Sequence, residues 1–281
     1  MVSSRDVAKL ANVSVSTVSR AFRENCYIEE QTKKKVLDAA NKLGYVPNLI
    51  ARSLKKRQSK MIGIIVPDSE NPFFTKVVRT IEANLKMHGY KLLITYNNEE
   101  PEEEKQNLQM FLSSQVDGII FTPGSASNEA IINQIRDYNI ALVQLYRGPY
   151  PQIRSVIADD LEEAAMATTY LLERGHRNIL LITWKWELAA LDARQERFKG
   201  FLRAMRDGGV AASEDNILFL DEQGGKACAK IENKLLQLRP TAVIAGTNLI
   251  AQDVIRVCKS LKITFPKTLA LLCSMISVGP S

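Results

Sequence analysis

From residue 61 to residue 272, short apolar runs and amphipathic segments take turns, and this alternation constrains the fold more than any other feature of the chain. Met61–Val66 is an apolar run closed by Pro67, the pattern of a strand buried on both faces of a parallel sheet. A helical pattern follows at 72–88. Strand patterns then come at 91–95, 117–121 and 140–145, separated by helical ones at 101–114 and 128–138. A second cycle starts at 155–158. It runs through helices at 161–174, 194–207, 226–238 and 249–261, with strands at 178–183, 217–220, 242–245 and 269–272. Strand and helix alternating this regularly predict a doubly wound α/β body. Its length predicts two similar lobes, 61–158 and 159–281, with a ligand bound between them beyond the C-terminal strand ends.

The first 60 residues have a different character. They hold 13 lysines and arginines against five acids, while the remaining segment holds 24 basic and 26 acidic residues. The net charge of +6 therefore belongs to the head of the chain. A basic head on a near-neutral body predicts a polyanionic partner for the head alone. Residues 1–46 read as three short helices. Asn12 ends the first, Ser14 or Ser16 caps the second, and Gly44 stops the third. The second presents Ser16, Thr17, Ser19 and Arg20, short polar side chains that allow close approach to a major groove and an arginine that can read guanine. Residues 47–60 are polar and basic and predict a linker with one short helix.

These stretches carry a closer resemblance. Asp6-Val7-Ala8, Val13-Ser14, Thr17-Val18-Ser19-Arg20, the segment from Thr32 to Val36 and Leu43-Gly44-Tyr45-Val46-Pro47-Asn48 resemble the headpiece of the LacI/GalR family of bacterial transcription regulators. Ala51-Arg52-Ser53-Leu54 is similar to the family's hinge helix. In the body, Ile62-Gly63-Ile64-Ile65-Val66-Pro67, Asn71-Pro72-Phe73-Phe74, Asp117-Gly118-Ile119-Ile120, Gly175-His176-Arg177 and Arg197-Phe198-Lys199-Gly200-Phe201 resemble the family's sugar-binding core. The resemblance implies a helix-turn-helix headpiece, a hinge and a two-lobed core like that of periplasmic binding proteins. It implies a homodimer on near-palindromic double-stranded DNA and a small effector, a sugar or sugar derivative.

The same resemblance assigns roles. Val15, Ser16 and Arg20 match base-reading positions; Ser4, Thr17, Ser19, Asn48 and Arg52 complete the DNA-facing set. Leu54 is expected to enter the minor groove as an apolar wedge. Arg197 matches a ligand-facing position. Asp68 follows the first strand's C-terminal end, where ligands bind in this architecture. Phe73 and Phe74 are core residues by default, and one of them lining a sugar pocket is the further expectation. Thr247-Asn248 stands where the family usually has Asn-Asp.

Other departures bear on function. Glu163 replaces a family glycine, and after Leu269-Ala270-Leu271-Leu272-Cys273 the family's return through the first lobe is missing. The expectation is a shortened second lobe, with a regulator that binds DNA without answering to effector as the alternative. A solute-binding protein of the periplasmic type is the other alternative. An N-terminus without an apolar core segment and the basic head speak against it and predict a cytoplasmic protein. Cys26, Cys228, Cys258 and Cys273 are scattered and read as free thiols. The two histidines, His88 and His176, have no partner at metal spacing, so neither a metal nor a cofactor is expected. Gly224-Gly225-Lys226 lacks the rest of a phosphate loop, and Asp159-Asp160 reads as a pair of helix-cap residues, so no enzyme is predicted.

Overall fold

The computed structural model describes residues 2–22, 26–46, 58–185, 193–221, 225–265 and 268–273. The chain divides into two compact units, residues 1–59 and 60–281.

In the first unit, α1 (Ser4–Ala11), α2 (Val15–Ala21) and α3 (Glu30–Leu43) each begin and end on local chemistry. Ser3 and Asp6 form a capping box on α1, which Asn12 closes at φ 51°. Hydrogen bonding from Ser3 holds the Asp6 carboxyl below the usual carboxylate range. Ser14, rather than Ser16, caps α2 by accepting from the Thr17 backbone N–H at 3.1 Å. Gly44 ends α3 at φ 63°, a left-handed turn that a glycine adopts without a Cβ clash. Val7, Ala8, Val18, Ala21, Val36, Ala39 and Ala40 form its small core. The hinge segment 47–57, with Asn48, Arg52 and Leu54, lies outside the described residues.

The second unit holds two parallel sheets. The first contains β1 (Met61–Val66), β2 (Lys91–Tyr96), β3 (Gly118–Phe121), β4 (Ala141–Leu145) and β5 (Arg154–Val156), in the order β2-β1-β3-β4-β5. Its helices are α4 (Pro72–Met87), α5 (Pro101–Ser113) and α6 (Glu129–Asp137). The second contains β6 (Ile179–Trp184), β7 (Ile217–Leu220), β8 (Ala242–Ala245) and β9 (Ala270–Cys273), in the order β7-β6-β8-β9. It carries α7 (Asp160–Glu173), α8 (Ala193–Asp207), α9 (Gly225–Leu238) and α10 (Asn248–Ser260). Segment 274–281, which follows β9, is outside the described residues, and β9 itself pairs with β8 in parallel.

Both sheets reverse direction at their first strand. The chain steps from β1 to β2 on one side and then crosses to β3 on the other; β6, β7 and β8 repeat the pattern. Each reversal opens a crevice at the C-terminal strand ends. Asp68 leaves β1 there, and Thr247-Asn248 leaves β8. Between these ends and the helices lie packed cores, one built on Ile65, Leu108, Phe111, Ile119 and Phe121. Gly63 in β1 is required by this core, because a Cβ there would come within 2.6 Å of the buried Phe111 ring. Gly63→Ala is expected to overpack the first lobe by about 1–2 kcal/mol and lower Tm by roughly 2–8 °C in a thermal scan. An unchanged Tm would show that the ring can yield.

Candidate DNA-reading face and effector cleft

Helix α2 has one inward and one outward side. Val18 and Ala21 are buried in the headpiece core. Val15, Ser16, Ser19 and Arg20 are exposed together on the other side, with Val15 at 45%. The spacing i, i+1, i+4, i+5 makes them one surface strip. Ser16 and Thr17 hydroxyls also meet Ser14 Oγ, at 2.7 and 2.9 Å, so the start of α2 is a small hydroxyl network. Thr17 is half-buried beside it, and Ser4 is half-buried at the first turn of α1.

The cleft residues come together from both lobes. Arg197 lies on the inward stripe of α8 with Phe201, Ala204 and Met205 and is only 1% exposed. Its Nη2 pairs with Asp160 Oδ1 at 2.7 Å and donates to the Tyr146 hydroxyl at 3.0 Å. Its Nη1 donates to the Gly246 carbonyl oxygen at 2.7 Å. Among the described residues, Arg197 Nε is buried with no hydrogen-bond partner. Asp160 reaches this position because α7 and α8 cross closely at Gly200, where a Cβ would overlap the Leu161 carbonyl oxygen. The Asp159-Asp160 pair is therefore divided in role. Asp159 caps α7 by accepting from the Glu162 N–H at 2.9 Å, whereas Asp160 is 6% exposed and serves the arginine.

The facing wall belongs to the first lobe. Tyr146 follows β4 at φ 68°, a left-handed conformation that is strained for an aromatic residue, and its N–H donates to Val156 O at 2.8 Å. Its ring meets Phe73 and Phe74, with centroids at 5.7 and 5.8 Å, and those two rings are 5.1 Å apart. Phe74 is core at 4% exposure and Phe73 is half-buried, so Phe73 is the more accessible of the pair. Burial raises the Tyr146 phenol above its ordinary pKa and keeps it protonated at neutral pH. Neighbouring Arg147 forks onto Glu99, with Nη2 to Oε1 at 2.8 Å.

Asp68 Oδ1 is committed to its own turn, accepting from the Glu70 and Asn71 N–H groups at 2.8 and 2.7 Å. Asn71, in turn, accepts from Asn248 Nδ2 at 2.9 Å across the lobes. Thr247 caps α10 by accepting from the Ile250 N–H at 3.3 Å, so its hydroxyl is committed to holding a helix end. The family resemblance points to Arg197, Thr247 and Asn248, and the strand-end and core arguments to Asp68, Phe73 and Phe74; neither points to Tyr146 or Asn71 as a residue of the lobe boundary. In sequence, Asp160 reads as a cap. Asp160 was within reach, because Asp160, Ala164, Thr168 and Leu171 form the buried stripe of α7 at helical spacing.

No group of three or more His, Cys, Asp or Glu among the described residues could hold a metal ion. No helix among them is long and apolar enough to cross a membrane.

Comparison with known proteins agrees with this architecture. Residues 5–48 match the family described as bacterial regulatory proteins, lacI family. Residues 59–262 match periplasmic binding proteins and sugar binding domain of LacI family. The chain is 30% identical over 277 residues to the HTH-type transcriptional repressor PurR of Pasteurella multocida, covering 97% of this chain and 81% of the relative. It is 30% identical to the HTH-type transcriptional regulator DegA of Bacillus subtilis, covering 95% and 79%. The lac repressor dimer bound to operator and the anti-inducer ONPF superposes with a TM-score of 0.79 at 20% identity, over 96% of this chain and 81% of that one. The complex of the regulator CelR with cellobiose superposes at 0.62 and 22% identity, over 96% and 82%. The two structural likenesses establish the fold. The chain belongs to the LacI family. It is a DNA-binding transcriptional regulator with a helix-turn-helix headpiece and a two-lobed effector-binding core, and its relatives are regulators, not enzymes.

Proposed function

We propose that the chain is a cytoplasmic repressor that binds a near-palindromic operator as a homodimer and releases or retains it according to a small effector, a carbohydrate, held between the lobes. In the headpiece, Val15 touches a thymine methyl, Ser16 bonds either base type and Arg20 holds guanine, with Ser4, Thr17 and Ser19 completing the DNA-facing surface. Asn48 and Arg52 extend that contact through the hinge, where Leu54 acts as the minor-groove wedge. In the core, Arg197, Asp68 and Asn248 supply polar contacts, Phe73 and Phe74 supply the apolar wall, and Thr247 fixes the rim. A homodimer accounts for operator symmetry, since each headpiece meets one half-site. Among relatives, PurR is named a repressor, the lac repressor structure is a dimer on operator, and CelR holds cellobiose.

The observation that carries this reading is Arg197, a 1%-exposed guanidinium held at the lobe boundary by Asp160, Gly246 and Tyr146 with one N–H left unpartnered among the described residues. A buried, charged, partly unsatisfied side chain at a sheet switch point is what a polar-ligand site requires. Effector binding there alters the cross-lobe bonds, which couples the cleft to DNA binding as a free-energy linkage between two sites.

The test has two arms on the full chain. Duplexes selected from a random pool should bind at least about a thousandfold tighter than unselected duplex at the same salt. In the second arm, one sugar of a panel should raise Tm saturably and shift operator affinity. Equal affinity for selected and unselected duplexes would sink the DNA-reading assignment.

A further inference from the structure

The geometry around Arg197 says more than that a ligand binds. Both terminal nitrogens of the guanidinium are engaged, Nη1 by the Gly246 carbonyl and Nη2 by the Asp160 carboxylate and the Tyr146 hydroxyl. Arginine grips a phosphate or carboxylate through two parallel N–H groups along one edge. The edge formed by Nε and Nη2 offers only the Nε–H, because Nη2 is taken. A single N–H suits one neutral acceptor, a hydroxyl or a ring oxygen.

Charge points the same way. Arg197 is balanced by Asp160 at 2.7 Å, and Arg147 is balanced by Glu99. A phosphate brought to Arg197 would sit beside a buried carboxylate with no countercharge, an arrangement that costs more than its Coulombic gain. The wall opposite is three aromatic rings, with Phe73 half-buried and Tyr146 strained into place at φ 68°. The Arg147 and Arg197 guanidiniums lie over the Tyr146 ring at 5.6 and 5.9 Å, and each is already balanced by its own carboxylate.

We propose that Tyr146 is the specificity-determining residue of this cleft: its hydroxyl takes the Nη2 N–H of Arg197 that Asp160 leaves, so that the cleft admits an uncharged ring and excludes its phosphorylated form. This rests on the reading of the cleft as the effector site. The Tyr146 ring closes the aromatic wall against which the ligand stacks. Its oxygen, together with the Asp160 carboxylate, blocks the edge of Arg197 that would otherwise make a phosphate-gripping fork.

The experiment is calorimetric titration of the whole chain with glucose, ribose and cellobiose, with glucose 6-phosphate and ribose 5-phosphate, and with inorganic phosphate. The neutral sugar that binds should do so at least about tenfold more tightly than any phosphorylated probe, and inorganic phosphate should give no saturable heat. In Tyr146→Phe, which keeps the ring and releases one Nη2 N–H while Asp160 holds the other, the preference should shrink by about fivefold or more while the neutral sugar changes by less than about threefold. Tyr146→Asn, a residue that tolerates positive φ, removes the ring along with the hydroxyl; should the phenylalanine variant not fold, it is expected to shrink the same preference while also weakening the neutral sugar. A phosphorylated sugar binding as tightly as its neutral counterpart would overturn the proposal. So would a preference unchanged in both variants. No heat from any probe, neutral or phosphorylated, would defeat the effector-cleft reading itself.

Discussion

Asp160→Ala is expected to destabilise the core by about 3–5 kcal/mol, because it strands a guanidinium that is almost wholly out of water. Arg197 is 1% exposed and Asp160 6%, so solvent cannot replace the lost carboxylate. The Gly246 carbonyl and the Tyr146 hydroxyl remain, but both are neutral acceptors. The reverse deletion, Arg197→Met, leaves a buried carboxylate and should cost a similar amount. The double variant Asp160→Leu with Arg197→Met removes both charges at once and is expected to be more stable than either single variant. Both tryptophans of the chain, Trp184 and Trp186, belong to the second lobe by sequence, so tryptophan fluorescence in a urea titration follows the relevant unit. A loss below about 1 kcal/mol in Asp160→Ala would mean that the pair is solvated in solution. The comparison also bears on function, since the double variant should fold yet lose its response to effector.

Arg20→Ala is expected to weaken binding to the selected operator by about 1–3 kcal/mol, roughly 5- to 150-fold, while leaving unselected duplex within a few-fold. The exposed strip of Val15, Ser16, Ser19 and Arg20 carries this expectation, because it is the face of α2 turned away from the headpiece core. A phosphate-contacting lysine should behave differently. Lys33, half-buried on α3, is one of the 13 basic residues of the head; if it contacts phosphate, Lys33→Ala is expected to lower affinity for all duplexes alike and to reduce the slope of affinity against salt by about one ion. Measuring both variants on both duplexes across a salt series separates reading from positioning. If Arg20→Ala weakens selected and unselected duplex equally, Arg20 contacts phosphate and the reading role moves to Val15 and Ser16.

Much of this molecule was legible before any coordinates. The helix stops at Asn12 and Gly44 follow from side chains and backbone freedom within a few residues of each end. Strands β1, β3, β4 and β8 appear as apolar runs because a parallel strand is covered on both faces. The choice between Ser14 and Ser16 as cap was open in the sequence, and the bond from Thr17 N–H decides it for Ser14. Asp159-Asp160 shows where local reading stops. Two adjacent acids at a helix start look alike, and only the packing of α8 against α7 makes one a cap and the other half of an ion pair.

The sequence by itself determined the α/β body, the three-helix headpiece, the basic character of the head and the places where the strands end. These depend on periodicity, capping and charge, which act over one or two turns of chain. Tertiary structure alone decided what surrounds Arg197. The Tyr146 hydroxyl comes from 51 residues away and the Gly246 carbonyl from 49, and Asn71 meets Asn248 across 177 residues. No local pattern encodes such pairings. They arise because two sheets, each reversing direction at its first strand, bring distant strand ends together, and the burial that follows leaves each polar group only the partners that its own lobe's strand ends and the opposite lobe supply.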